Sequence, residues 1–230
     1  TWCSSTGPCR SSGVRRPGRV SPRRRAVEGK AFSLNQTDHA QGHILPDVKG
    51  WLDLGVHGLR AKVDEARCKP DVQDLHHQTF YNALLIALEA AETLMRRYGA
   101  LATEQTAQIE DHARERELLR IASTCNWIAE YPPRNFWEAL QSVWFLFVLL
   151  QMESNASSFS PGRLDQILWP YLAKDMSNCT LTFADAQRLL ERLWLKFNEV
   201  VLLRSSSSAR YFAGFPIGFN IVLGRQRPEG

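Results

Sequence analysis

The chain has 230 residues, 44% of them apolar and 10% aromatic, enough to bury a sizeable core and to exclude disorder throughout. Its net charge of +4 is unevenly spread: residues 1–30 carry seven Arg, Lys30 and a single acid, Glu28, so that stretch is +7 and the other 200 residues are −3. Five scattered cysteines with no C-x-x-C pair argue against a disulfide framework or a zinc knuckle and fit a reducing cytoplasm, and the longest apolar run, Val143–Leu150, has eight residues against the roughly 20 that span a bilayer.

Residues 1–30, rich in Ser, Gly, Pro and Arg, lack the large apolar side chains that would offset the entropy of ordering. They are expected to be a disordered basic segment outside the fold, with residues 31–230 forming the folded part. A nucleic-acid-binding arm, a transit segment and a membrane-surface patch compete for that segment with the plainer reading of unrelated flanking sequence. From Ala31 a polar loop with anchors Phe32 and Leu34 leads to Pro46-Asp47, which opens a helix with Trp51, Leu52, Val56, Leu59 and Val63 on one stripe, closed by Cys68 and Pro70.

A second helix is expected over 73–102, with Phe80, Leu84, Ala87, Leu88, Ala91, Met95, Tyr98 and Ala102 inward. His76 and His77 sit at its start and read as solvated, with no acidic partner assigned and no metal site predicted. A third helix over 104–129 turns Ile109, Ala113, Leu118, Ile121, Cys125 and Ile128 inward, and the charges of 110–120 form a paired, solvated face. Asn135 caps the next helix, 136–150, with Glu138 reaching back to the cap. Beyond its first turn that helix is apolar on all sides, so it must be buried within something larger than itself. It delivers the polar loop ESNASSFSPGR.

Arg163–Lys174 is expected as a helix interrupted at Pro170. Thr182 and Asp185 then form a capping pattern for a helix with Leu189, Leu193, Trp194, Phe197, Val200 and Val201 inward. The last element is a strand near 218–224, which needs partners to be stable. The stretch is therefore predominantly α-helical with one clear strand.

Four ordered motifs, LNQTDHAQGHILPD, PPRNFWEALQSVWF, ESNASSFSPGRLDQILWPY and ARYFAGFPIGFNIVLG, carry a resemblance. From about Phe32 to Gly230 the chain resembles the N-terminal part of glycyl radical enzymes of the pyruvate formate-lyase family. It is especially similar to the dehydratase-like branch and to formate acetyltransferase paralogues. The resemblance implies a ten-stranded α/β barrel, of which this stretch is the N-terminal part, and a cytoplasmic homodimer when complete. It also implies a glycyl radical installed by a partner activase that uses S-adenosylmethionine, and a cysteine thiyl that abstracts hydrogen from a small oxygenated substrate, in a lyase, acyltransferase or dehydratase reaction. That cysteine usually stands in G-C-x-E and the glycine in R-V-x-G. Neither motif occurs here, so no cofactor is expected to bind directly and the stretch alone should be inactive.

The same resemblance places Asn35, His43, Ser157 and Ser158 at substrate hydroxyls, with Ser157 where dehydratase-like relatives carry His. A serine hydroxyl with no base beside it can hydrogen-bond but cannot shuttle a proton as imidazole does near neutral pH, which puts glycerol or choline as substrate in doubt. Arg163 and Asp165 read as a structural pair at that site. At the other end of the match, relatives carry Gly-Gly where this chain has Gly224-Arg225. The contrasting functional class is a non-enzymatic helical interaction protein whose basic arm binds nucleic acid.

Overall fold

The computed structural model describes residues 44–154, 159–199 and 221–224. Within them lie six α-helices, numbered here in chain order: α1 (Val48–Arg67), α2 (Leu75–Thr106), α3 (His112–Ile128), α4 (Phe136–Ser154), α5 (Leu164–Ser177) and α6 (Phe183–Phe197), with a short 3-10 turn at Pro70–Val72. The expectations for residues 1–43, Val200 and Val201 lie outside the described residues.

Five of the six helices begin where a short polar side chain takes up free amides of the first turn, and α5 starts from Arg163 without a side-chain cap. Asp47 accepts from the Gly50 amide, Asp74 from those of His76 and His77, and Asp111 from that of Ala113. Thr182 and Asp185 form the reciprocal capping box read from the sequence. Asp111 also explains why α3 starts at His112 rather than at 104, while α2 runs on to Thr106. At α4, Asn135 Oδ1 accepts from the Glu138 amide as expected, but Glu138 reaches one residue further back, to the Arg134 amide at 2.7 Å.

Helix α1 is two helical runs joined at Gly55, whose φ of 60° and ψ of −178° lie in a region essentially open to glycine alone. A Cβ there would stand 2.6 Å from the Tyr131 carbonyl carbon and 2.7 Å from the Pro132 nitrogen. The bend lets the connector between α3 and α4 pass against α1. It also turns the His57 amide out of the helical ladder, and that amide donates to the Glu130 carbonyl at 2.8 Å.

Helix α4 packs against α1, α3, α5 and α6, whereas α2 packs against α1 and α3. Phe136, Val143, Phe145 and Phe147 of α4 are buried, together with Trp51 and Val56 of α1, Met95 of α2, Ile128 of α3, Leu168 of α5 and Phe197 of α6. Each large side chain so enclosed contributes roughly 1.5–3 kcal/mol of transfer free energy. Inside this core Trp51 Nε1 donates to Ser142 Oγ at 2.8 Å. Trp144, Val148, Leu149 and Leu150 stay half-buried, so the all-round apolar surface of α4 is only partly enclosed by the described residues.

Several inward assignments are corrected. Phe80 is 55% and Tyr98 48% exposed; α2 buries Ala91, Met95, Gly99 and Ala102, all in its second half, which leaves Phe80 outside, and the Tyr98 ring meets Phe145 edge-on at the margin of the core. Ala87 and Ala113 are exposed, and Trp194 is 40% exposed, since α6 turns Ala186, Leu193 and Phe197 inward. Pro170 does not interrupt α5, which continues to Ser177. The proline removes one ladder bond, and burial of Leu164 and Leu168 in the shared core offsets it.

The strand expected near 218–224 is not a regular strand among the described residues. Ile221 forms a single parallel bridge with Gly162, and residues 222–224 continue without regular structure.

Candidate functional site

Three extended segments meet beside the helices. Phe159 bridges Ile44 in parallel sense, and the Ser160 amide donates to the Ile44 carbonyl at 2.8 Å. Three residues on, Gly162 bridges Ile221, and the Val222 amide donates to the Gly162 carbonyl at 3.1 Å. Residues 159–162 thus lie between the other two segments, anchored by the buried ring of Phe159. Gly162 has a φ of 67°, so the backbone calls for glycine, whereas a Cβ there would meet only the movable tip of the exposed Leu45 side chain.

At the end of this segment the chain turns into α5 through a charged clamp. Arg163 Nε donates to Asp165 Oδ1 at 3.0 Å and Arg163 Nη2 to Asp165 Oδ2 at 3.1 Å, a two-pronged guanidinium–carboxylate pair. Asp165 Oδ2 also accepts from the Gly224 amide at 3.1 Å. The Arg163 guanidinium, reinforced by the Gly224 amide, holds the Asp165 carboxyl below its ordinary range despite the opposing effect of burial. Its place in the first turn of α5 adds the favourable field of the helix N-terminus.

Of the sequence-predicted site residues, Asn35, His43, Ser157 and Ser158 lie outside the described residues. The residues bonded directly to His43 and Ser158, Ile44 and Phe159, face each other across the first bridge. Arg163 and Asp165 are brought together. What sequence reasoning missed is the third member, the Gly224 amide, 59 residues along the chain from Asp165. An Arg and an Asp two residues apart at a helix start can be read from sequence; a backbone donor on a distant segment cannot.

Other chemistry-bearing residues are accounted for locally. His77 Nδ1 pairs with the Asp74 carboxylate, an acidic partner one turn back that the sequence reading overlooked. No group of three or more His, Cys, Asp or Glu able to hold a metal occurs among the described residues. Cys68 and Cys179 are exposed, while burial pushes the Cys125 thiol up to about 11. A groove of about 260 Å³ between α3, α4 and α6, walled by Trp137, Trp144, Arg192 and Lys196, includes none of the candidate site residues. None of the helices searched is long and apolar enough to cross a membrane.

The described residues thus form a helical layer beside extended segments joined by parallel bridges, with a charged clamp where the chain re-enters a helix. The chain matches the pyruvate formate lyase-like family over residues 18–230 and belongs to it, as a glycyl radical enzyme family sequence. It is 40% identical over 188 residues to a protein of Escherichia coli (strain K12) named Probable dehydratase YbiW, covering 80% of this chain and 23% of the relative. The solved structure describing 1,2-propanediol dehydration in Roseburia inulinivorans superposes with a TM-score of 0.76 at 36% identity, covering 82% of this chain and 23% of that one. A glycyl radical enzyme from Archaeoglobus fulgidus gives a TM-score of 0.67 at 30% identity over 75% of this chain and 22% of its own. The chain therefore spans about a quarter of the length of these relatives.

Proposed function

We propose that this chain contributes the substrate-binding entrance of a glycyl radical dehydratase or lyase acting on a small oxygenated metabolite, a vicinal diol or a relative of one. The observation that supports it most is the pairing of Ile44 with Phe159. Ile44 and Phe159 are the chain neighbours of His43 and Ser158, which the reading assigns to one substrate site. Asn35, His43, Ser157 and Ser158 would then bind substrate hydroxyls, while Arg163 and Asp165 hold the end of the loop. Similarity to YbiW and to the 1,2-propanediol dehydratase favours dehydration over acyl transfer.

In this reading the larger enzyme forms the ten-stranded barrel of its family and works as a cytoplasmic homodimer. Its glycyl radical, installed by an S-adenosylmethionine-dependent activase, supplies hydrogen abstraction through a cysteine thiyl. This chain's own residues bind and orient. A hydroxyl acceptor such as His43 can take up or return a proton near neutral pH, whereas Ser157 only hydrogen-bonds, so the leaving hydroxyl would draw its acid from elsewhere.

The test is anaerobic activation of the protein expressed from its complete reading frame, followed by assay with propane-1,2-diol and glycerol. Formation of a glycyl radical signal and of the corresponding aldehyde is expected. A radical signal without turnover of either diol would move the substrate class. Failure to form the radical in the activated protein would remove the reading.

A further inference from the structure

We infer that Asp165 is a positioning residue: by binding the Arg163 guanidinium and the Gly224 amide together, it fixes the register between the segment that follows the Ser157–Ser158 loop and the segment ending at Gly224. The bridge joins Gly162 to Ile221, and the clamp joins Asp165 to Gly224, three residues further along both segments. The two contacts therefore repeat one alignment. The Val222 amide donates to the Gly162 carbonyl, and the Asp165 carboxylate adds a side-chain contact to the same segment in the same alignment.

A slip by one residue would move the Gly224 amide by about 3.3 Å along the segment, out of reach of the carboxylate, so the slipped pairing loses this contact entirely. Arg163 supplies the second half of the device. Its two-pronged contact orients both carboxylate oxygens, leaving Oδ2 aimed at the amide. Glycines at both ends, with φ of 67° at Gly162 and 74° at Gly224, allow the backbone to turn on either side of the clamp. An Asn at position 165 keeps one acceptor oxygen and no charge, so it cannot hold all three contacts of the clamp.

The consequence for substrate rests on the function proposed above, in which the residues just before Phe159 bind substrate. The experiment has two arms on the protein expressed from its complete reading frame. In the first, amide hydrogen exchange is compared between the native protein and Asp165→Ala, Asp165→Asn and Asp165→Glu. Loss of the clamp is expected to speed exchange at Val222 and Gly224 about tenfold in Asp165→Ala, with the α4 amides unchanged. The isosteric Asp165→Asn should be intermediate, and Asp165→Glu should partly restore protection. Unchanged exchange at Val222 and Gly224, or acceleration spread evenly over the molecule, overturns the inference. If the Ala variant does not fold, the Asn variant decides.

The second arm measures turnover of propane-1,2-diol at equal glycyl radical content. Asp165→Ala is expected to raise KM about fivefold or more, since misplaced binding groups weaken substrate capture without touching the radical. Native turnover with KM and kcat preserved in Asp165→Ala overturns the inference. An activated native protein with no turnover counts against the proposed substrate, and the exchange data alone then support or overturn the role of Asp165.

Discussion

The carboxylate of Asp175, near the end of α5, accepts the amide of Phe136, the first residue of α4, at 2.8 Å across 39 residues of chain. Asn135 takes the Glu138 amide, so two side chains from different places share the free donors of the most buried helix. Asp175 is itself buried, and the Thr180 amide and hydroxyl both donate to its carbonyl. Asp175→Ala would leave the Phe136 amide unpaired in an apolar setting, at a cost of roughly 1–3 kcal/mol. For a chain of this size the melting temperature should fall by about 2–4 °C per kcal/mol. An Asp175→Ala protein melting with the native one would mean that the contact contributes nothing.

Gly55→Ala should be among the most damaging single substitutions. The new Cβ would meet backbone atoms of Tyr131 and Pro132 rather than a yielding side chain, and the φ of 60° is itself strained for alanine. The expected loss is about 3 kcal/mol, read by urea unfolding, with half-buried Gly58 as the control. A Cβ on Gly58 would meet only the Leu54 side chain, at 3.0 Å. Equal effects of the two substitutions would remove the argument from close approach.

Much of this fold is legible in the sequence because helix caps and apolar periods are local. Thr182 with Asp185 and the stripe of Trp51, Leu52 and Val56 behave as their spacing dictates, and Asn135 accepts the Glu138 amide as expected although the Glu138 carboxylate goes to Arg134. Errors fall where burial depends on neighbours. Phe80 and Tyr98 share a helical stripe with Met95, but the fully buried residues of that stripe begin only at Ala91 and Tyr98 stays 48% exposed, so the stripe is right and its enclosure is not. Pro170 breaks a rule of local propensity that tertiary packing overrides. At the candidate site the Arg163–Asp165 pair is short-range and readable, whereas the amide of Gly224 reaches Asp165 only through chain topology.

The three described cysteines should separate cleanly by reactivity. A thiol attacks as thiolate, and burial of Cys125 raises its pKa to about 11, leaving very little thiolate at pH 8. Cys68 and Cys179 are exposed. Brief treatment with iodoacetamide at pH 8 should label Cys68 and Cys179 in the native protein and reach Cys125 only after denaturation, as read by peptide mapping. Native labelling of Cys125 at the rate of Cys68 would show that the core around α3 opens readily.

The depressed pKa of Asp165 ties the clamp to pH with a definite sign. The carboxyl titrates below its ordinary value of 3.8 in the folded protein, because Arg163 and then the Gly224 amide stabilise the ionised form. The folded state therefore binds fewer protons than the unfolded state in that range, and the stabilisation is complete above the ordinary value and lost as pH falls through the folded one. The stability difference between the native protein and Asp165→Asn should be constant from pH 7 to about 5 and shrink below about 4. Asp74, held low chiefly by His77, and Asp185, held low chiefly by Thr182, titrate in the same region in both proteins. Their effects cancel in the difference, so the quantity to measure is the gap between two urea midpoints, converted with a common slope, at each pH. A gap that stays constant down to pH 3 would mean that Arg163 and Gly224 do not favour the Asp165 carboxylate, and a gap of zero at pH 7 would mean that the clamp adds no stability at all.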